Sequence, residues 1–198
     1  MRFNAKQLSE NKSKLTHAIS HKKITGKAQD VNLQNSNIKE FIETLGNRMV
    51  KTCINDGGVG LAAPQLAIPK KVIVIKEFMS PHLWDFTDYF NLYINPTYSL
   101  IKESGEWEFE ESCLSVPGKS LSIYRCNEIN ASYWTYDNKG ELVFIEEKLE
   151  GYLARVFLHE VDHLLGISIL DRFNNQTKKR EEKTVTNERE QFLSRLRV

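Results

Sequence analysis

The chain is poor in the features that mark the more specialised protein classes. Its 198 residues include only three cysteines, Cys53, Cys113 and Cys126. A cysteine count that is small and odd argues against a disulfide framework and for a reducing compartment, where a cysteine that matters does so as a thiolate. An excess of one charge is also missing, because 27 basic residues face 26 acidic ones for a formal net charge of +1. A protein built mainly to hold nucleic acid would be strongly basic, so no DNA partner is expected. No apolar run approaches the length of a membrane span, and no membrane association is expected. Residues 1–20 lack the continuous apolar core of a secretory signal. They carry Arg2, Lys6, Lys12 and Lys14 against Glu10 alone. That pattern reads as a short solvated arm in a cytoplasmic protein; a weak organelle presequence is the second reading. Internal repeats and low-complexity tracts are absent.

What is there fits one soluble domain. Hydrophobic residues make up 40% and charged residues 27% of the chain, and this length can bury a sizeable core. Residues 1–36 are polar and read as an arm crossing the surface. Ile38, Phe41, Ile42, Leu45, Met49 and Cys53 fall at helical spacing. Asn37 and Glu40 suit a capping box, and Gly57-Gly58 ends the helix. The run Lys71-Val72-Ile73-Val74-Ile75 is a short buried strand. Residues 76–90 read as a connection carrying Trp84, Phe86, Tyr89 and Phe90. Leu92 to Ile101 is extended, broken at Asn95-Pro96. Trp107 and Phe109 alternate with acids as in a strand. Residues 128–136 and 141–149 form a hairpin around Asp137-Asn138-Lys139-Gly140. A second helix runs from about Gly151 to Leu165, with Leu153, Ala154, Phe157, Val161 and Leu164 on its apolar stripe. Strands flanking two good helices predict an α+β fold, a single domain of antiparallel strands around a central C-terminal helix.

That last helix carries the chemistry. In His159-Glu160-Val161-Asp162-His163 the histidines sit at i and i+4, one turn apart on one face. Two imidazoles there can reach one metal ion, with Glu160 beside them as a base for water. A catalytic site of this kind needs a third protein ligand. A third histidine six residues on is excluded, because that position is Ile169. Glu181, Glu182, Glu188 and Glu190 sit in a charge-rich tail that reads as a solvated face. Cys113, after a strand and before Leu114-Ser115-Val116-Pro117-Gly118, is the better third ligand, since a thiolate adds charge and softness to a two-histidine site. Read alone, Cys113 is equally a small core residue.

Three segments then resemble, in order, the signature motifs of peptide deformylases. Gly58-Val59-Gly60-Leu61-Ala62-Ala63-Pro64-Gln65 matches the first, Glu111-Ser112-Cys113-Leu114-Ser115 the second and His159-Glu160-Val161-Asp162-His163-Leu164 the third. The likeness extends to Ile94-Asn95-Pro96 and to Gly151 with Ala154, and covers roughly residues 24–170. It implies a metallo-hydrolase that removes the N-formyl group from the initiator methionine of newly made polypeptides. Cys113, His159 and His163 would hold one divalent metal, Fe²⁺ in the cell, with Zn²⁺, Ni²⁺ or Co²⁺ able to replace it. Glu160 would accept a proton from water and pass it to the departing amine. The Gln65 amide and the Leu114 backbone N–H would stabilise the oxyanion, and Gly60 would let the peptide approach as a neighbouring strand. The alternative is a divergent relative with another acyl-peptide substrate, or a metal- and peptide-binding protein without turnover. The resemblance divides the chain into an arm (1–23), a catalytic unit (24–172) and a charged tail (173–198) that reads as helical. Contact of that basic tail with the ribosome is one reading, a solvated helix the other.

Two residues depart from the family pattern. Ser112 stands for a glycine, so it either strains a turn that needs φ > 0 or narrows the substrate cleft it would line. Leu158 stands for the glutamine before the first metal histidine, which removes one hydrogen bond behind the metal. Arg125 is expected to pair with Glu111 or Asp162, Asp162 to point away from the metal face, and Cys53 and Cys126 to be structural. The aromatic group at 84–90 either lines the substrate rim or forms a small satellite core. Ser112→Gly is expected to raise turnover on formyl-Met peptides in a formate-release assay; an unchanged or lower rate counts against a restrictive role for the serine.

Overall fold

The run Val72-Ile73-Val74-Ile75 is apolar on both sides of a strand, so both faces of its sheet must be covered. The computed structural model, which describes residues 1–9, 17–20, 22, 24 and 26–179, shows how. Strand β1 (Arg2–Asn4) leads into the short helix α1 (Ala5–Ser9), and helix α2 spans Ile38–Asn55. Strands β2 (Gly60–Ala62), β3 (Val72–Phe78), β4 (Phe86–Leu100), β5 (Glu106–Cys113), β6 (Val116–Cys126), β7 (Glu128–Tyr136) and β8 (Leu142–Glu150) follow. Helix α3 (Gly151–Leu164) comes next, and residues 169–179 are helical again. Among the described residues, β2, β3, β4, β7 and β8 form one antiparallel sheet in that order, with β1 added to β4. The strands β5 and β6 make a separate hairpin.

Strand alternation distributes the core. Val72 and Val74 pack with Ile42, Leu45, Met49 and Cys53 of α2. Ile73 and Ile75 point the other way and pack with Ala154, Phe157 and Val161 of α3. The sheet is therefore a middle layer, and α3 lies in the interior, with Ala154 and Phe157 fully buried. Among the described residues no helix is long and apolar enough to cross a membrane.

Several local expectations need correction. Asn37 does not cap α2 with its side chain. Its dihedrals, φ −97° and ψ 12°, lie outside the extended region that a capping residue uses. The other end behaves as expected: Gly57 takes φ +73° and donates to Ile54 O, while Gly58 donates to Cys53 O. That pair of bonds is a Schellman ending. Residues 86–90 are strand, because β4 begins with Phe86 paired to Phe78. The break at Asn95-Pro96 is a shift of register inside β4. Asn95 takes φ +50° and clamps Val31 by accepting its N–H (2.8 Å) and donating to its carbonyl (3.0 Å).

Leu114 and Ser115 alone turn the chain between β5 and β6. Cys113 already pairs with Val116, and Ser112 pairs with Ser120, so the register shift absorbs Pro117, Gly118 and Lys119. The first 36 residues do more than cross the surface: Phe3 is buried in the α2 side of the core, where an added Cβ on Gly46 would meet its ring. A lone phenylalanine in a polar stretch has no periodicity to betray it.

Gly151 opens α3 at φ +59°, and a Cβ there would lie 2.3 Å from the carbonyl oxygen of Pro81. Gly151→Ala is expected to cost about 1–3 kcal/mol through backbone strain and that clash. A lowered urea midpoint with an unchanged m-value would show it.

Candidate metal centre

Side-chain alternation along β5 builds one wall of the site. Trp107, Phe109, Glu111 and Cys113 share the inward face, while Glu106, Glu108, Glu110 and Ser112 are exposed. The opposite wall is α3. Its i, i+4 spacing stacks the His159 and His163 rings edge to face, with centroids 5.0 Å apart. The two walls meet at one point. Among the described residues Cys113, His159 and His163 form a group whose ligand atoms all lie within 4.8 Å of one another. The Cys113 Sγ is 3.3 Å from His163 Nε2. All of the proposed ligands are thus brought together. The glutamates at 181, 182, 188 and 190, like the tail's last dozen residues, lie outside the described residues.

The donor set fits a transition metal. One thiolate and two imidazoles suit Fe²⁺, Zn²⁺, Ni²⁺ or Co²⁺ better than Mg²⁺ or Ca²⁺. Glu111 Oε2 lies 2.9 Å from His159 Nδ1. That contact fixes the Nδ1–H tautomer and turns Nε2 toward the sulfur. Burial alone would lower the His159 pKa, but the hydrogen bonds to Cys113 and Glu111 outweigh it and hold the value well above normal. Burial and then the neighbouring His159 charge push His163 well below normal.

Glu111 is itself held by cations. Arg125 donates to it through Nε (2.7 Å) and Nη2 (2.9 Å), and Arg155 through Nη1 (2.6 Å). Burial alone would raise the Glu111 carboxyl; Arg125 first, then His159, hold it far below the usual carboxylate range. Arg125 also donates through Nη1 to Asp162 at 2.9 Å, so it pairs with both expected acids. Asp162 points away from the ligands, as expected, and also takes two hydrogen bonds from Arg172. Arg155 and Arg172 had no part in the sequence reading. The signal for Arg155 is a lone cation in the apolar run four residues before His159.

Glu160 is 4% exposed, and among the described residues its Oε2 has no hydrogen-bond partner. Burial pushes its carboxyl up to about 7, the range in which a general base works at neutral pH. A Cβ on Gly60 would sit 2.5 Å from Glu160 Oε1. The close approach visible at Gly60 is therefore to this carboxylate. Cys53, fully buried as expected, donates its thiol to Gly60 O at 3.4 Å from beneath. Cys126 is also buried, its thiol facing the carbonyls of Ile101 and Glu128.

Gln65 stands beside the metal group. Its Oε1 accepts the Ala62 N–H at 2.8 Å, so Nε2 must face Ser115 Oγ (3.2 Å) and Cys113 Sγ (4.0 Å). Ser115 thus orients the amide, a part the sequence reading did not give it. Leu114 occupies the turn of the hairpin, with its side chain against Gly58.

These residues open on a cleft of about 740 Å³. Ser112 lines it in ordinary negative-φ backbone, so strain is not its effect and only its bulk in the cleft remains. Leu158 packs into the core between α3 and the sheet, and Glu111 supplies the contact behind His159 without it. The aromatic group splits: Trp84 lines the cleft, Phe90 is core, and Tyr89 carries Arg2 on its ring.

Comparison with known proteins agrees with this geometry. The family model described as Polypeptide deformylase matches residues 16–179. A peptide deformylase of Thermotoga maritima is 38% identical over 148 residues, which cover 75% of this chain and 79% of the relative. One from a Picosynechococcus species is 34% identical over 168 residues, or 81% and 79% of the two chains. The crystal structure of the Thermotoga maritima peptide deformylase superposes with a TM-score of 0.64 at 33% identity, covering 81% of this chain and 99% of that one. A Met-Ala-Ser-bound peptide deformylase from Acinetobacter baumannii gives 0.64 at 29% identity, covering 81% and 100%.

Glu111→Gln keeps the shape but removes the charge that Arg125, Arg155 and His159 share. It is expected to weaken metal affinity about 10–100-fold, as read by chelator competition with Zn²⁺.

Proposed function

Since the chain belongs to the polypeptide deformylase family, we infer that it hydrolyses the N-formyl group from newly made peptides and releases formate. The observation that carries this reading is the convergence of Cys113, His159 and His163 beside a buried Glu160, across from the Gln65 amide. The proposed substrate is the N-formylmethionyl end of nascent polypeptides. The family is metal-dependent, and the proposed native ion is Fe²⁺, with Zn²⁺, Ni²⁺ or Co²⁺ as substitutes. A divalent ion held by these three ligands would polarise the formyl carbonyl and acidify water.

The chain's own residues supply the remaining steps. Glu160 takes the proton from the attacking water, since its pKa near 7 lets it both accept and return one at neutral pH. It then gives that proton to the departing amine. The Gln65 Nε2 and the Leu114 backbone N–H donate to the oxyanion, with the amide locked in the donating orientation by Ala62 and Ser115. Gly60 and Ser112 line the cleft where the peptide lies.

The catalytic unit is proposed to run over 24–172, between an arm (1–23) and a tail (173–198). Ribosome contact through that tail and a cytoplasmic location are parts of the same proposal. The three buried free thiols fit a reducing compartment. A protein with an altered substrate or without turnover is not favoured, because the matching family model and the relatives are peptide deformylases.

The test is formate release from formyl-Met-Ala-Ser. Chelation of the metal is expected to abolish turnover and re-addition of Fe²⁺ or Ni²⁺ to restore it. Glu160→Gln should lower kcat about 10²–10⁴-fold with metal content unchanged. Metal bound at full stoichiometry without formate release from any formyl peptide would overturn the reading.

A further inference from the structure

The loop joining β3 to β4 exposes apolar surface that the fold does not require. Met79, Leu83 and Trp84 are 68%, 60% and 53% exposed. The loop itself is firmly built. The Met79 N–H donates to Asp85 O at 3.0 Å, closing its neck. The Tyr152 N–H donates to Pro81 O at 2.7 Å, and His82 Nε2 lies 3.3 Å from Glu150 Oε1. The loop is thus docked on the first turn of α3, the helix that carries the metal histidines.

Trp84 uses one side of its indole for that docking. It meets Tyr152 and Phe86 edge to face, with centroids 5.2 and 5.1 Å away, and tilts toward Phe109 at 6.5 Å. Its remaining surface is open. Trp84 lines the same cleft as Phe109, which shares its strand face with Glu111 and Cys113. A wall of aromatic surface therefore runs on from the metal group to an exposed apolar rim. Large exposed apolar surface beside a cleft marks a binding site. A rigid tryptophan is well suited to one, because little side-chain entropy is lost when it is covered.

The occupant that reaches this wall from the metal group is the substrate's own chain. We propose that Trp84 is a specificity-determining residue that covers an apolar side chain following the formylated residue, so that aromatic side chains are favoured there. The proposal rests on the deformylase reading. Continuity of the wall with the reacting end of the cleft selects the substrate over a separate partner protein.

Three peptides test it: formyl-Met-Ala-Ala, formyl-Met-Phe-Ala and formyl-Met-Ala-Phe, assayed for formate release with the metal-loaded protein. The native chain is expected to favour one phenylalanine peptide over the alanine peptide by about tenfold in kcat/KM, the scale of one aromatic pair. In Trp84→Ala that ratio should fall to about one, and in Trp84→Phe most of it should survive. Trp84→Leu keeps an apolar plug on Tyr152 and replaces the alanine variant should that one not fold; its ratio should also drop. A native chain without preference, or variants that slow all three peptides by one common factor, would overturn the proposal and leave the deformylase reading intact. Absence of formate release from all three peptides would overturn both.

Discussion

A buried carboxylate that gathers two guanidinium groups and one imidazole holds the site together. Glu111, on β5, receives hydrogen bonds from Arg125 on β6, Arg155 on α3 and His159 on α3. Each charge taken out of water costs several kcal/mol, and only good geometry with matched hydrogen bonds offsets that cost. The geometry here is good: Arg125 grips Glu111 with two nitrogens and has a third left for Asp162. The network fixes the distance between the hairpin and the helix. Since Cys113 belongs to the hairpin and the histidines to the helix, it also fixes the distance between the three candidate ligands. The same carboxylate turns His159, so spacing and orientation depend on one group.

The rest of the fold places α3 where the network can reach it. A sheet apolar on both faces needs a helix on each. Covering it with α2 and α3 leaves α3 between the sheet and the β5–β6 hairpin. Glu160 consequently ends in a buried position at the edge of the cleft, which raises its pKa and suits it to move a proton. Gly60 is what allows the carboxylate that position, because any side chain on β2 there would occupy its space.

Much of this was legible in the sequence, for physical reasons. The i, i+4 histidines and the alternation through Trp107, Phe109 and Glu111 to Cys113 follow from helix and strand periods. In the structure the two periods put Cys113 and the two histidines on facing walls. Phe3 could not be read, because one residue has no period. The β6 strand was obscured by Pro117 and Gly118, which look like turn residues and in fact sit in a register shift. The choice between strain and bulk at Ser112 needed a dihedral angle, and composition contains none. Arg155 and Ser115 needed three dimensions, since their partners are 44 and 50 residues away along the chain.

The loop that carries Trp84 lies directly on the backbone of Gly151, with no room for even a methyl group between them. Loop and helix start are therefore positioned as a pair. A side chain at 151 would have to push that loop outward and widen the cleft at that end. The breadth of the cleft at that end is thus tied to one small residue at a helix start.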